Sequence, residues 1–212
     1  MEIHAPDRPV HGVRDFAVHI AIVTVGILIA LGLDGLRETW REHRLIRETR
    51  AGFNAEFAND RHESDSELRH VTAGRDQLNA IVAAMPQLAL EQPAKLAEDL
   101  QHVANPYYFF SANSWQSALS TGALAHMSPE EVSSYAEAVE GVRRYTQIQS
   151  DTFAVETRVF AMIKAHPRPT AAEAQDEAEA LLVFFQNERA MAHVCPQMQT
   201  GLDRAIRASA NH

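Results

Sequence analysis

The chain is poor in the residues that cross-link, bend or break a polypeptide. Its 212 residues contain one cysteine, nine glycines and nine prolines. The single thiol, Cys195, cannot form a disulfide within the chain, so it leaves the redox compartment open. We expect a free buried thiol, because an intermolecular disulfide would require an oxidising space. Runs of β-branched residues are scarce outside one apolar segment, whereas Ala, Glu, Arg and Leu abound, which favours helix.

Positive charge is also in deficit. The chain has 28 acidic and 19 basic residues, a formal net charge of −9 and a pI near 5.6. A nucleic-acid binder needs a basic face that neutralises phosphates, so we expect no nucleic acid among the partners. The chain lacks the HExxH, P-loop, GxGxxG and GxSxG motifs that mark common catalytic sites. We therefore expect neither an enzyme nor a cofactor.

One long apolar run lies near the N-terminus. Residues 16–33 read FAVHIAIVTVGILIALGL, which is 18 residues without a charge, bracketed by Asp15 and Asp34. At about 1.5 Å of rise per residue the run extends roughly 27 Å, close to the hydrocarbon thickness of a bilayer. We predict a transmembrane helix whose membrane-spanning residues include Phe16, Ile20, Ile22, Val25, Ile27, Leu28, Ile29, Leu31 and Leu33.

The run has two other interpretations, a cleaved signal peptide and a buried core helix. A cleaved signal peptide needs a small-residue cleavage site, which Ala30 and Gly32 resemble, but the helical pattern continues unbroken through Leu36 and Trp40. A buried core helix is the second interpretation, since 18 residues lie at the short end of the spanning range. Arginines after the run favour a cytoplasmic C-terminal side, yet acidic residues are interleaved with them, so the side of the membrane stays open.

The run and the residues after it also suggest contacts. Gly26 and Ala30 have the small-xxx-small spacing that lets two spanning helices approach closely, which favours a homo-oligomer. Arg37, Arg41 and Arg44 follow the run at helical spacing. They either contact lipid headgroups or lie on a solvated helix face, and both interpretations remain open.

The rest of the chain predicts an all-α protein. We expect a tail over residues 1–12, a transmembrane helix over 13–35, a helical stalk over 36–62 and an irregular α-helical bundle over 63–212. Within the bundle a second helix begins near residue 64, a turn lies at Asn105–Pro106, and Cys195–Pro196 breaks a helix. Ser128 and Thr170 are expected N-caps. Glu131, three residues after Ser128, completes the pattern of a capping box.

The most aromatic stretch is Tyr107-Tyr108-Phe109-Phe110, with Trp115 shortly after it. Such a stretch is a core plug, an interface, or the wall of a pocket. We name Tyr107, Tyr108, Phe109, Phe110 and Trp115 as candidate interface residues. In the pocket interpretation, Tyr107, Tyr108 and Trp115 are its lining.

Eleven histidines raise the question of a metal site. Di-iron carboxylate bundles use pairs of Glu-x-x-His on facing helices. Glu67 and His70 have this spacing, and Asp99 and His102 form a weaker Asp version. Further inward carboxylates are not evident in the pattern, so no metal is expected and these four residues are secondary candidates.

Two segments resemble a group of bacterial single-pass inner-membrane proteins of unknown function. Residues 19–48, HIAIVTVGILIALGLDGLRETWREHRLIRE, resemble that group's opening, an "IGVLIAL"-type span followed by a helix with Trp and basic residues. Residues 113–149, NSWQSALSTGALAHMSPEEVSSYAEAVEGVRRYTQIQ, resemble its central motif of Trp, Ser/Thr-Gly and Tyr. The resemblance covers about a third of the chain. It implies a location in the bacterial inner (plasma) membrane and no activity.

Three functional hypotheses follow. The first is a membrane-anchored, non-catalytic interaction or scaffold module, with the lipid bilayer and either a second copy or a membrane complex as partners. The second is a helical metal-binding protein or metalloenzyme that uses Glu67, His70, Asp99 and His102. The third is a small-molecule sensor with an aromatic pocket.

Overall fold

The computed structural model describes residues 12–103 and 107–210. Within these ranges the protein has helices and no strand, which confirms the all-α prediction. Residues 1–11 of the expected tail and the expected turn at Asn105–Pro106 lie outside the described residues. The helices are α1 (Val13–Ala84), α2 (Gln87–Glu91), α3 (Pro93–Gln101), α4 (Asn113–Thr121), α5 (Pro129–Ala165) and α6 (Ala171–Ala210), with a 3₁₀ turn at Ala123–His126.

The chain divides into two compact units, Met1–Arg47 and Glu48–His212. In the described part of the first unit the backbone is helical from Val13 onward. The apolar run is exposed along its whole length, and the nine predicted membrane-spanning side chains are 51% to 65% exposed. By length and composition, this helix is able to span a membrane.

The second unit is built around α5 and α6, which pack closely along each other. A Cβ added at Gly201 would lie 3.6 Å from the Cα of Ala138, so the two backbones nearly touch at that level. The later part of α1 packs against both helices. Phe53 stacks on Tyr135 of α5 with ring centroids 4.3 Å apart, and Asn54 donates a hydrogen bond to Ser209 of α6.

A second part of the core lies near the C-terminal end of α1, where α2 and α3 cover α5 and α6. A cis peptide bond at Met85–Pro86 separates α1 from α2, and Pro93 begins α3. Burial of apolar surface, at about 25 cal/mol per Å², stabilises this region. Its fully or nearly fully buried side chains include Leu78, Leu96, Leu100, Val159, Leu181 and Phe184.

The expected N-caps are present. Ser128 Oγ accepts a hydrogen bond from the backbone N–H of Glu131 at 3.2 Å, and Pro129 occupies the first turn of α5. The Glu131 side chain also pairs with Arg50. The complete capping box is at α6, where Thr170 and Glu173 exchange hydrogen bonds in both directions.

Two helices run further than the sequence predicted. The break expected between residues 60 and 64 is absent: Asp60 and Ser64 are both buried in a continuous α1. The break expected at Cys195–Pro196 is also absent, because Pro196 lies inside α6. A proline inside a helix costs about 3 kcal/mol. Here the buried side chains of Cys195, Met198 and Leu202 offset that cost.

Candidate functional site

The aromatic segment Tyr107–Phe110 has no regular secondary structure, and its four rings have different surroundings. Tyr107 packs edge-on against Phe153 of α5, and Tyr108 stacks on His70 of α1, with ring centroids 5.3 and 5.9 Å apart. Phe110 is buried against Tyr145 at 5.4 Å. Phe109, by contrast, is 92% exposed. The segment is therefore partly a core plug and partly a surface feature.

One carboxylate of α1 bonds to the backbone at the start of α4, and two more lie beside the aromatic segment. The backbone N–H of Ser114 donates to Glu56 Oε2 at 2.7 Å. The backbones of Ser111 and Tyr108 approach Asp60 and Glu67, and each partly opposes the rise that burial causes in the pKa of its carboxyl. Glu56, Asp60 and Glu67 lie within about 40° of one another around the helix, at about 100° per residue.

The physical reason for this arrangement is the absence of a strand that would pair with the segment. A buried backbone N–H must find an acceptor, and an isolated extended segment has none of its own. A row of acidic side chains on one face of α1 supplies acceptors instead. Asp60 and Glu67 are both only 1% exposed, so their main structural role is to hold the segment.

Glu67 also accepts hydrogen bonds from two side chains of α5. Tyr145 Oη donates to Glu67 Oε1 at 2.6 Å, and Gln149 Nε2 donates to the same oxygen at 3.1 Å. Burial raises the pKa of Glu67, and these hydrogen bonds oppose the rise. Burial likewise raises the pKa of Tyr145. Both bonds reach Glu67 Oε1, whereas Glu67 Oε2 is buried without a hydrogen-bond partner among the described residues.

Two further polar side chains complete the buried layer. Tyr107 Oη donates a hydrogen bond to Glu156, and burial raises the pKa of that carboxyl. The Cys195 thiol is free and buried, and it donates to the backbone carbonyl of Ser64 at 3.6 Å. Burial raises the pKa of Cys195 to about 12, which keeps the thiol protonated at neutral pH and makes it a poor nucleophile.

An open pocket of about 340 Å³ lies beside the aromatic segment. Its lining residues are Tyr107, Phe109, Thr146, Gln149, Ser150 and Phe153. Two of these residues connect the pocket to the polar layer behind it, because Tyr107 bonds to Glu156 and Gln149 bonds to Glu67. The pocket is aromatic on one side and polar at its back.

Of the residues expected to line an aromatic pocket, the structure places Tyr107 there. Tyr108 instead faces His70, and Trp115 packs against Phe53 with ring centroids 6.3 Å apart. Phe109 and Phe153 line the pocket where Tyr108 and Trp115 were expected. Phe153, which lies more than forty residues away on α5, was not among the residues expected at the pocket.

The four candidate metal ligands have different neighbours. Glu67 is bonded to Tyr145 and Gln149, and His70 is stacked on Tyr108. Asp99 and His102 line a separate pocket of about 270 Å³, and the His102 ring bonds to the carbonyl of Glu98. Within residues 12–103 and 107–210, no three His, Cys, Asp or Glu side chains converge on a point that could hold a metal ion.

The two candidate dimerisation residues lie on the exposed surface of the first unit. A Cβ added at Gly26 would meet no atom within 4 Å, so this side of the helix is open. Comparison with known proteins adds no identity: no family model, curated protein or solved structure matches this chain.

Proposed function

We propose that this chain is a membrane-anchored, non-catalytic interaction module of the bacterial plasma membrane. Residues 13–35 cross the bilayer once, and the helical second unit binds another protein of the membrane or a second copy of the chain. The observation that supports the anchor is the complete exposure of an uncharged 18-residue run. An exposed apolar surface of this extent is unfavourable in water and favourable in lipid.

A pair of exposed aromatic rings supports the interaction role. Phe109 is 92% exposed and Phe153 is 56% exposed, and both line the same pocket. Large aromatic side chains are enriched at protein interfaces, where they lose water and fill a partner's pocket. Tyr107 bonds to Glu156 and Phe110 packs on Tyr145, so α5 holds the segment on both sides of Phe109 and the ring is presented on a fixed backbone.

The state of the chemically reactive groups supports a non-catalytic role. The Cys195 thiol is buried and protonated, and Glu67 is bonded to side chains of α5. A catalytic nucleophile or base needs access to a substrate and a pKa near the working pH. These groups hold the fold together instead.

Photo-cross-linking in intact membranes tests the interaction. A photoreactive p-benzoyl-phenylalanine replaces Phe109 in one variant and Gln147, an exposed residue of α5, in a matched control. We expect ultraviolet light to give an adduct of discrete mass from position 109 and none from position 147. An adduct of twice the chain mass identifies a second copy, whereas a larger or smaller adduct identifies another protein. The absence of any adduct specific to position 109 would overturn the proposal.

The pocket favours one second candidate, a small-molecule sensor. Its volume of about 340 Å³ and its aromatic wall suit a small planar ligand. Saturation-transfer NMR with indole as probe, on the full chain in nanodiscs, tests this function against empty nanodiscs as the background. We expect a signal above background that Phe153→Ala removes. An equal signal from wild type and Phe153→Ala would reject the sensor.

A further inference from the structure

The helix surface just beyond the apolar run has a one-sided distribution of charge. At about 100° per residue, Arg37, Arg41 and Arg44 fall within about 60° of arc, and Trp40 and Arg47 extend this face to about 120°. We call these five residues the basic face. All five are exposed in the structure.

The acidic residues of the same turns lie on the adjoining side. Asp34, Glu38 and Glu42 occupy about 80° of arc next to the basic face and do not enter it. Arg41 has a single contact with this acidic side, at 3.7 Å from Glu38, and the two side chains are 79% and 57% exposed. An ion pair this exposed contributes little, so it does not remove Arg41 from other anions.

The basic face begins in the headgroup layer and extends outward from it along the helix. The rise of about 1.5 Å per residue places Arg37 about 6 Å, Trp40 about 10 Å and Arg41 about 12 Å beyond Leu33. A bilayer has about 5–8 Å of polar headgroup outside each side of its hydrocarbon core, so Arg37 lies within this layer and Trp40 and Arg41 lie a few ångströms beyond it. Arg44 and Arg47, about 16 and 21 Å beyond Leu33, lie in the water next to the anionic surface. Flexible arginine side chains reach back several ångströms, and Trp is enriched at this boundary.

The sign of this face runs against the charge of the whole chain. The formal net charge is −9, so the protein as a whole is repelled by an anionic surface. The overall charge therefore does not explain why four arginines lie on one face of the helix just beyond the apolar run. Arginine binds phosphate through two parallel N–H···O bonds, which suits the phosphodiester of a lipid headgroup.

We propose that the basic face, Arg37, Trp40, Arg41, Arg44 and Arg47, is a binding site for the headgroups of anionic phospholipids. The inference rests on the proposed insertion of residues 13–35 into a bilayer. Because the arginines occupy one side of the helix, the site holds anionic lipid on that side, and the acidic side excludes it. Glu48 lies one turn after Arg44 on the same side of the helix, and its negative charge marks the end of the site.

Native mass spectrometry of the full chain in a neutral detergent tests the proposal. The chain is offered equimolar phosphatidylglycerol and phosphatidylcholine, and the retained lipid adducts are counted. We expect at least about fivefold more phosphatidylglycerol adducts than phosphatidylcholine adducts, because each arginine near an anionic headgroup favours it severalfold. The triple variant Arg37→Gln, Arg41→Gln and Arg44→Gln should bring this ratio close to one.

The control variant carries the same change of charge elsewhere. The control changes three arginines on the exposed surface of α5: Arg143→Gln, Arg144→Gln and Arg158→Gln. This triple variant should keep the wild-type ratio of phosphatidylglycerol to phosphatidylcholine adducts. A ratio near one for the wild type, or equal ratios for the two triple variants, would overturn the proposal. Loss of the preference in inorganic phosphate, but not in sodium chloride of equal ionic strength, would assign the face to free phosphate and also overturn it.

Failure of the underlying anchor is detected separately. Flotation of the chain with phosphatidylcholine vesicles, followed by alkaline carbonate washing, measures insertion without any anionic lipid. A chain that floats but shows no lipid preference contradicts the headgroup site alone. A chain that does not float contradicts the membrane anchor itself.

Discussion

Arg50 of α1 and Glu131 of α5 form a two-pronged ion pair. Arg50 Nε lies 2.7 Å from Glu131 Oε1, and Nη2 lies 2.8 Å from Oε2. Glu131 is 1% exposed and also accepts a hydrogen bond from Tyr135 at 2.8 Å. It stands in the first turn of α5, where the partial positive charge of the helix terminus favours an acid. The pair ties α1 to the start of α5.

Removing Arg50 alone should destabilise the second unit strongly. Arg50→Gln leaves the carboxylate of Glu131 buried without its counter-charge, which costs about 3–5 kcal/mol. The double variant Arg50→Gln, Glu131→Gln removes both charges and should regain part of the loss. Urea unfolding followed by helical circular dichroism measures both variants. Equal losses for the single and double variants would show that the charge of Glu131 is unimportant.

The buried Asp60 should make stability depend on pH. Burial, followed by the nearby charges of Glu56 and Glu63, raises the pKa of Asp60 from its ordinary value of 3.8 to about 6, although the nearby Ser111 backbone opposes the rise. The unfolded chain ionises first as pH rises, so the stability contribution is fully present below about pH 4. It is lost as pH rises through about 6.

The shift of about two pKa units corresponds to about 2–3 kcal/mol of stability. We expect Asp60→Asn to reduce the fall in unfolding free energy between pH 4.5 and pH 7 by about this amount. Asp176→Asn, at an exposed position of α6, is the control and should follow the wild type. Urea unfolding at several pH values gives the slopes, and identical slopes for wild type and Asp60→Asn would contradict the prediction.

We expect Glu67 to stabilise the fold through its hydrogen bonds and not to bind a metal ion. Tyr145→Phe deletes the shortest of them and should cost about 1–3 kcal/mol of stability. Elemental analysis of the purified chain should find no stoichiometric iron, manganese or zinc, and a chelator should leave the unfolding midpoint unchanged. A stoichiometric metal that disappears in Glu67→Gln would restore the metalloprotein hypothesis.

Local signals in the sequence predicted much of the fold, and long-range contacts limited the rest. Ser128 and Thr170 were recognised as N-caps because their partners lie three residues away. Arg50, which forms an ion pair with Glu131, is 81 residues away from it, so the local pattern did not indicate this pair. Pro196 was wrongly expected to end a helix, since burial of its neighbours overrides the local cost.

The candidate site shows the same limit. The aromatic segment was visible as four consecutive rings, but which ring is buried and which is exposed depends on contacts with α1 and α5. The sequence pattern singled out Glu67 only as a secondary candidate for a metal ligand, and it did not single out Asp60. The burial of both carboxyls beside a distant backbone segment is visible only in the folded chain.

The anchor should fail when charge is placed at the centre of the apolar run. Val25→Arg with Leu28→Arg puts two guanidinium groups near the middle of the bilayer, at a cost of about 2.5–3.5 kcal/mol each. Leu36→Arg, just beyond the run, is the matched control and should still insert, because its side chain reaches the headgroup layer. We expect alkaline carbonate to extract the double variant from membranes and to leave the wild type and Leu36→Arg in the pellet.

Since the run makes no contact that buries it within the described residues, folding of the second unit should survive in the double variant. Retention of the double variant in the pellet, or extraction of the wild type, would show that residues 16–33 are not what holds the chain to the membrane.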